Sequence, residues 1–356
     1  MIIGIDLRFL DHDLYSQFAK DFVKNLIHTQ TQYQFNIYTK NPDLFDLDGD
    51  NFHIKYVDID CGSLSEQIKL KKIFEKDNNT LMLFFDHHKP VGYKGEYYTV
   101  LSGLKDIFYQ NYSNYFSKYK YLYLLEKNLK NSKKILCFDH NTKKELIERF
   151  NAEEESIIIL QPFFIKNNDI NQPSEVEISM RSKFQLGEKY LIYSGGDGIE
   201  KNLDRLIQVF HRLHKEEYDL HLVFFGDKIG KNIDLRHAII EHDLQKKVHF
   251  LDALKPAEEK CLYEQSQGVV FPSLYESFPF RLSHPLFLGT PILTSKLVNT
   301  EKVFGDKVSY FSPISTGNII TALKDFVEKK HVIDYEKIRS EYTVIHTVNQ
   351  FIKIIR

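Results

Sequence analysis

Tryptophan is absent from the chain, and cysteine and methionine occur three times each. Cys61, Cys137 and Cys261 lie far apart, and none belongs to a Cys-x-x-Cys pair. That argues against a disulfide framework and a cysteine-built metal site, and it fits a reducing, cytoplasmic setting. Cys137 and Cys261 stand in apolar surroundings and read as core residues. No apolar run approaches the roughly 20 residues that span a bilayer. The opening Met1-Ile2-Ile3-Gly4-Ile5-Asp6-Leu7-Arg8 turns polar at Asp6 and has no basic leader or cleavage site, so it reads as a first strand. A dominant charge is missing too. The formal net charge is -2 over 356 residues, so no global field draws the chain to nucleic acid or a membrane. Internal repeats and low-complexity tracts are also absent.

Phenylalanine and tyrosine are plentiful, at 28 and 21, and 42% of residues are hydrophobic. A chain of this length has material for more than one core, so two domains are expected. Short apolar runs alternate with longer helical patterns. Strands are expected at Ile2–Asp6, Gln34–Thr39, His53–Val57, Leu81–Phe85, Tyr98–Leu101, Lys134–Phe138 and Ile157–Leu160. The scheme repeats at Tyr190–Ser194, His221–Phe225, Val248–Leu251, Val269–Phe271, Pro291–Thr294 and Val308–Phe311. Helical patterns such as Tyr15–His28, Thr142–Phe150, Leu203–His214 and Ala257–Gln265 fall between them. Strands alternating with helices imply an α/β fold with parallel sheets wound on both faces. The polar, aperiodic stretch Lys166–Glu177 reads as a linker. The expected organisation is a first domain over 1–165, a second over 180–334, and a final helix over 335–356.

The run Ser194-Gly195-Gly196-Asp197-Gly198-Ile199-Glu200-Lys201-Asn202 follows a strand and opens a helix with apolar positions at Leu203, Leu206, Ile207, Phe210 and Leu213. Glycines let backbone approach a ligand, the helix start offers N–H groups, and Lys201 adds a positive charge. Those are the parts of a phosphate site. Taken alone, a plain strand-to-helix turn with a solvated lysine explains the run better. A second element changes the balance. Pro272-Ser273-Leu274-Tyr275-Glu276-Ser277-Phe278-Pro279 also lies just beyond a strand, and would bring Glu276 to the same sheet edge as Lys201. A carboxylate there can accept hydrogen bonds from sugar hydroxyls.

These pieces come in a telling order. The glycine turn with Lys201-Asn202 precedes Leu222-Val223-Phe224-Phe225-Gly226-Asp227, then Val248-His249-Phe250-Leu251. The Ser273–Phe278 run, Gly289-Thr290-Pro291-Ile292 and Thr300-Glu301-Lys302-Val303-Phe304-Gly305-Asp306 follow. The C-terminal half thus resembles the donor domain of the retaining GT-B glycosyltransferases of family four. Gly4-Ile5-Asp6-Leu7-Arg8 and Phe138–Leu146 resemble, more faintly, parts of that family's first domain. The resemblance implies two Rossmann-like domains facing a cleft, with the final helix over 335–356 returning to the first domain. It implies a nucleotide-sugar donor, with Lys201 on the diphosphate and Glu276, the catalytic candidate, on the donor sugar. Gly195, Gly196, Gly226, Ser277, Phe278, Arg281 and His284 complete the implied donor site. It implies no metal or other cofactor, because cations and helix starts balance the leaving diphosphate.

The chain departs from the family at several places. The second carboxylate expected eight residues after Glu276, which holds the nucleotide ribose, is His284. The arginine expected five residues before Lys201 is Gly196. The turn after Glu276 reads Ser277-Phe278-Pro279-Phe280-Arg281, where Pro279 removes an N–H and Arg281 offers a charge. The glycine-rich loop expected after the first strand is Asp11-His12-Asp13-Leu14-Tyr15-Ser16-Gln17, and the expected His-Asp pair falls at Ser102-Gly103. Outside this pattern, His87-His88 lack a third ligand at metal spacing, so solvated or acceptor-contacting histidines are favoured. The Tyr112–Lys134 stretch holds six lysines among tyrosines and leucines. A basic aromatic helix can dock on anionic lipid, although a solvated face over the core is the simpler reading. No nucleic-acid motif occurs.

The expectation from the sequence is therefore a cytoplasmic, peripherally membrane-associated or free enzyme of polysaccharide biosynthesis. It would move a sugar with retention from a nucleotide sugar to a glycan or lipid-linked acceptor. The alternative is a catalytically degenerate GT-B-like subunit that assists an active glycosyltransferase. A nucleotide-sugar epimerase on the same fold is a distant third.

Overall fold

The computed structural model describes residues 1–10, 13–30, 32–45, 50–61, 63–85, 89–109, 115–167, 179–226 and 229–356, with backbone alone at 115–117. The histidine pair at 87–88, residues 11–12, Asp227 and most of the Lys166–Glu177 stretch lie outside these residues.

The described chain forms two compact α/β units: Met1–Phe163 with Tyr342–Arg356, and Phe164–Glu341. The first contains strands β1 (Ile2–Asp6), β2 (Gln34–Thr39), β3 (Phe52–Tyr56), β4 (Leu81–Phe84), β5 (Tyr97–Leu101), β6 (Lys134–Cys137) and β7 (Ile157–Ile159). The second contains β8 (Tyr190–Ser194), β9 (His221–Phe225), β10 (Val248–Leu251), β11 (Gly268–Phe271), β12 (Ile292–Ser295) and β13 (Ser309–Phe311). Every pairing is parallel, in the orders β3-β2-β1-β4-β5-β6-β7 and β10-β9-β8-β11-β12-β13. The strands sit where apolar runs predict them, with ends moved by a residue or so. Such runs are uninterrupted because a parallel sheet covered by helices is buried on both faces; all five residues of β9 are buried.

Helix starts carry legible caps. Asp13 accepts from Ser16 N at the start of Leu14–Thr29, Asp139 from Thr142 N before His140–Phe150, and Ser315 from Asn318 N before Thr316–Glu328. The helix Leu203–Lys215 buries Leu203, Leu206, Ile207, Phe210 and Leu213, the stripe its sequence marks, with Val209 beside them.

The last segment differs from its expectation. One helix is predicted from Tyr335; two form, Glu336–Glu341 and Val344–Ile355. Thr343 is extended, and its side chain accepts from His346 N, capping the second helix. The second of these helices belongs to the first unit. Phe351 meets Phe22 edge-on at 5.3 Å, and Gln350 bonds the backbone of Ile159 and Gln161.

Both sheets reverse their winding once, between β1 and β4 and between β8 and β11. Such switch points open a crevice at the carboxyl ends of the strands, where ligands bind in open α/β sheets.

Candidate functional site

The crevice of the second unit brings Lys201 and Glu276 together. Strands β8 and β11 are neighbours, with Val269 paired to Ile192. The turn after β8 therefore lies beside the turn after β11. Lys201 closes a short 3-10 turn, Ile199–Lys201, and Asn202 adopts a left-handed conformation, φ 58°, that redirects the chain into the next helix. Asn202 Nδ2 donates to the carbonyls of Pro272 (3.0 Å) and Pro313 (2.9 Å), and Leu274 N donates to Glu200 O at 2.7 Å. These bonds lock the two turns edge to edge.

Across that junction, Lys201 Nζ donates to Glu276 Oε1 at 2.6 Å. The two side chains are only 14% and 17% exposed, so the pair is shielded and keeps a shallow opening to solvent. Ser273 Oγ donates to the same oxygen at 2.9 Å, and Asn299 Nδ2 donates to the Glu276 carbonyl at 2.8 Å. Glu200 is buried close behind, 3.8 Å from Lys201 Nζ.

The glycine turn is held from beneath. Tyr193 OH donates to Gly196 O at 2.6 Å, and burial pushes the Tyr193 hydroxyl far above its ordinary range, so it stays a donor. A Cβ on Gly195 would lie 2.4 Å from that hydroxyl, which explains the glycine. Gly196 is different: a Cβ there meets nothing within 4 Å. Glu276, Arg281, Glu200 and Asp197 all act electrostatically on Tyr193, which brings Arg281 into the same neighbourhood. Arg281 is exposed and carries no hydrogen bond or ion pair among the described residues.

Other expected residues fall elsewhere. The Phe278 ring is buried against Phe164 and Phe280, both at 4.8 Å, and belongs to the core. Ser277 is half-buried beside it. Gly226 ends β9 with φ 130°, a conformation that favours glycine, and lies two strands from β11. His284 does not meet Glu276; its Nδ1 lies 3.0 Å from Glu259 Oε1, on the helix Pro256–Glu264. Glu259 and Ser273 carry no local signal, since each is identified by a partner rather than by a pattern.

A cavity of about 370 Å³ opens on the flank of the glycine turn. Its lining sets Asp197, Asp204 and Asp234 against Arg205, a poor match for a diphosphate. In the first unit, a cavity of about 560 Å³ lies at the β1/β4 switch point, lined among others by Arg8, Tyr15, Lys40, Phe85, Ser102, Gly103 and Lys105. No histidine lines it among the described residues. The described residues contain no cluster of three metal-ligating side chains and no helix long and apolar enough to cross a membrane.

Two α/β units, each built on a fully parallel sheet with one switch point, give the chain the GT-B architecture. Comparison with solved structures agrees on the fold. The chain superposes on a sucrose-phosphate synthase of Thermosynechococcus elongatus with TM-score 0.71 at 12% identity, covering 100% of this chain and 98% of that one. An Anabaena protein solved in complex with UDP-glucose superposes with TM-score 0.70 at 11% identity, covering 100% and 99%. Residues 175–340 match the family model of glycosyl transferases group 1. Among curated relatives, an O-antigen chain mannosyltransferase of Salmonella typhimurium is 20% identical over 254 residues, 71% of this chain and 67% of its own length. A D-inositol 3-phosphate glycosyltransferase of Corynebacterium aurimucosum is 27% identical over 161 residues, 43% and 38%. Other curated relatives are likewise matched over less than half their length.

Proposed function

We propose that the second unit binds a nucleotide sugar with its diphosphate on Lys201 and Arg281 and its sugar on Glu276. The sugar passes, with retention, to a hydroxyl of a glycan or lipid-linked acceptor. The observation that carries this reading is the shielded Lys201–Glu276 pair spanning the β8/β11 crevice. A diphosphate leaving group builds negative charge on its bridging oxygen as the sugar C1–O bond breaks. A fixed ammonium beside that oxygen stabilises the charge without needing a metal. The acceptor oxygen attacks C1 on the face the phosphate leaves, and its proton goes to the departing phosphate. Glu276 holds a sugar hydroxyl meanwhile. Contacts that tighten in the transition state raise turnover rather than mere affinity. His284 serves the nucleotide end in the tautomer that donates from Nδ1–H to Glu259, in which Nε2 accepts from a hydroxyl.

Purified protein incubated with nucleotide sugars tests this by transfer to acceptor glycans or by donor hydrolysis in the presence of a chelator. Glu276→Gln keeps shape and removes charge; turnover should fall by roughly a hundredfold with little change in Tm. Lys201→Ala should weaken nucleoside diphosphate binding by about 2 kcal/mol. If Glu276→Gln chiefly unfolds the protein, the carboxylate is structural and the site is misassigned.

A second reading has specific support: Gly196 supplies no charge, His284 is turned to Glu259, and the first unit's cavity shows no histidine among the described residues. It makes the chain a non-catalytic partner of an active transferase. Absence of transfer and hydrolysis with every nucleotide sugar, together with stable association with such an enzyme, would establish it.

A further inference from the structure

Glu276 is held asymmetrically. Both hydrogen bonds to its carboxylate fall on Oε1, from Lys201 Nζ at 2.6 Å and from Ser273 Oγ at 2.9 Å. Oε2 accepts none among the described residues. The two tethers differ in kind. Lys201 is a full charge on a four-carbon stem, and any stronger anion in the crevice competes for it. Ser273 is neutral, 2% exposed and short, and its hydroxyl has the carboxylate as its partner.

A bound diphosphate is such an anion. Once the ammonium turns to it, Glu276 keeps, among the described residues, the bond from Ser273 to its carboxylate and the bond from the Asn299 side chain to its carbonyl. We propose that Ser273 is a positioning residue: it keeps Glu276 in place while Lys201 changes partner from carboxylate to diphosphate, so that Oε2 meets the donor sugar. This rests on the donor-site reading above. The same exchange implies that Glu276 competes with the diphosphate for Lys201 whenever no sugar is present to engage the carboxylate.

The test uses the full chain, calorimetry, and UDP, GDP, ADP and TDP, each paired with its glucose conjugate. The measured quantity is the preference of each variant for the conjugate over the bare diphosphate, with kcat and KM alongside. Ser273→Ala should bind the bare diphosphate about as wild type does. It should lose roughly tenfold of the preference for the conjugate and roughly tenfold in kcat, the scale of one buried hydrogen bond to a charged group. Ser273→Thr, which keeps the hydroxyl, should recover both. Glu276→Gln should bind the bare diphosphate several-fold more tightly than wild type, because the competing anion is gone; this arm stands even if Ser273→Ala does not fold. Equal losses for diphosphate and conjugate in Ser273→Ala, or no loss in either preference or kcat, overturn the positioning role. No gain in Glu276→Gln overturns the exchange of partners. A wild type that binds no diphosphate at all overturns the donor-site reading itself, and this inference with it.

Discussion

At the scale of single residues, charge placement decides the site. Lys201 and Glu276 lie 75 positions apart and meet only because β8 and β11 are neighbours. Gly196 offers the clearest experiment of gain. A side chain there starts in open space, and the glycine does not occupy the left-handed region, so Gly196→Arg adds a guanidinium without backbone strain. On the donor-site reading, diphosphate affinity should rise by roughly threefold to tenfold, with the increment shrinking at high salt. Titration calorimetry at two ionic strengths checks it; unchanged affinity would place the diphosphate away from residue 196. Lys201 and Glu276 were legible because each follows a strand in a turn of recognisable composition. Ser273 and Glu259 were not, because their importance lies in which atom they bond.

At the scale of elements, capping and amphipathic periodicity account for most helices, and the exceptions are informative. The helix Tyr115–Asn131 buries Leu125, Asn128 and Leu129 and turns Lys118, Tyr119, Lys120, Tyr123, Lys127 and Lys130 to solvent. Tyr119 is 69% exposed, so this face is more than a ring of solvated lysines around a covered core. Should the acceptor ride on an anionic lipid, this face is where the membrane meets the first unit. Co-sedimentation with phosphatidylglycerol vesicles should then retain the wild type and lose most of the Lys118→Glu/Lys120→Glu variant at about 0.1 M salt. Equal sedimentation of the two would leave the face merely solvated. The division of the last segment into two helices was not legible. Thr343 has no breaker beside it; its cap is visible only when its hydroxyl is seen accepting from His346 N.

At the scale of the whole molecule, each unit is a buried sheet, and buried polar groups are the exceptions to be accounted for. In the first unit, Arg8 is satisfied by Asp6, Glu66 and the Ile59 carbonyl. Lys89 is buried with no carboxylate partner among the described residues: its Nζ donates to Pro90 O at 3.2 Å and lies 4.3 Å above the Tyr97 ring. Burial pushes its amine down to about 8, from an ordinary 10.5. Between those values the unfolded chain binds more protons than the folded one, so stability rises as pH climbs from about 8 to 10.5. Below pH 8 the folded state carries the full cost of a buried charge. Lys89→Met should therefore raise Tm most at neutral pH, and its advantage should fade as pH passes through that window. Melting curves from pH 6 to about 10.5 test this; an advantage independent of pH would mean that packing, not charge, is responsible.

Thirteen strands, two parallel sheets and the presence of a lysine and a carboxylate at strand ends followed from the sequence alone. Apolar runs and helical stripes are local patterns, repeated within a few residues of chain, and parallel α/β architecture follows from their alternation. Tertiary structure alone decided the rest. Strand order placed the switch point between β8 and β11, and so turned two separate turns into one crevice. It gave Glu276 to Lys201 and Ser273, and His284 to Glu259 instead of to Glu276. It also made Val344–Ile355 a helix of its own, separate from Glu336–Glu341 and held to the first unit by a bond that crosses 191 residues. A hydrogen bond of 2.6 Å between residues 75 apart depends on the register of two strands and the conformation of two turns. None of these leaves a periodic trace in the residues that make them.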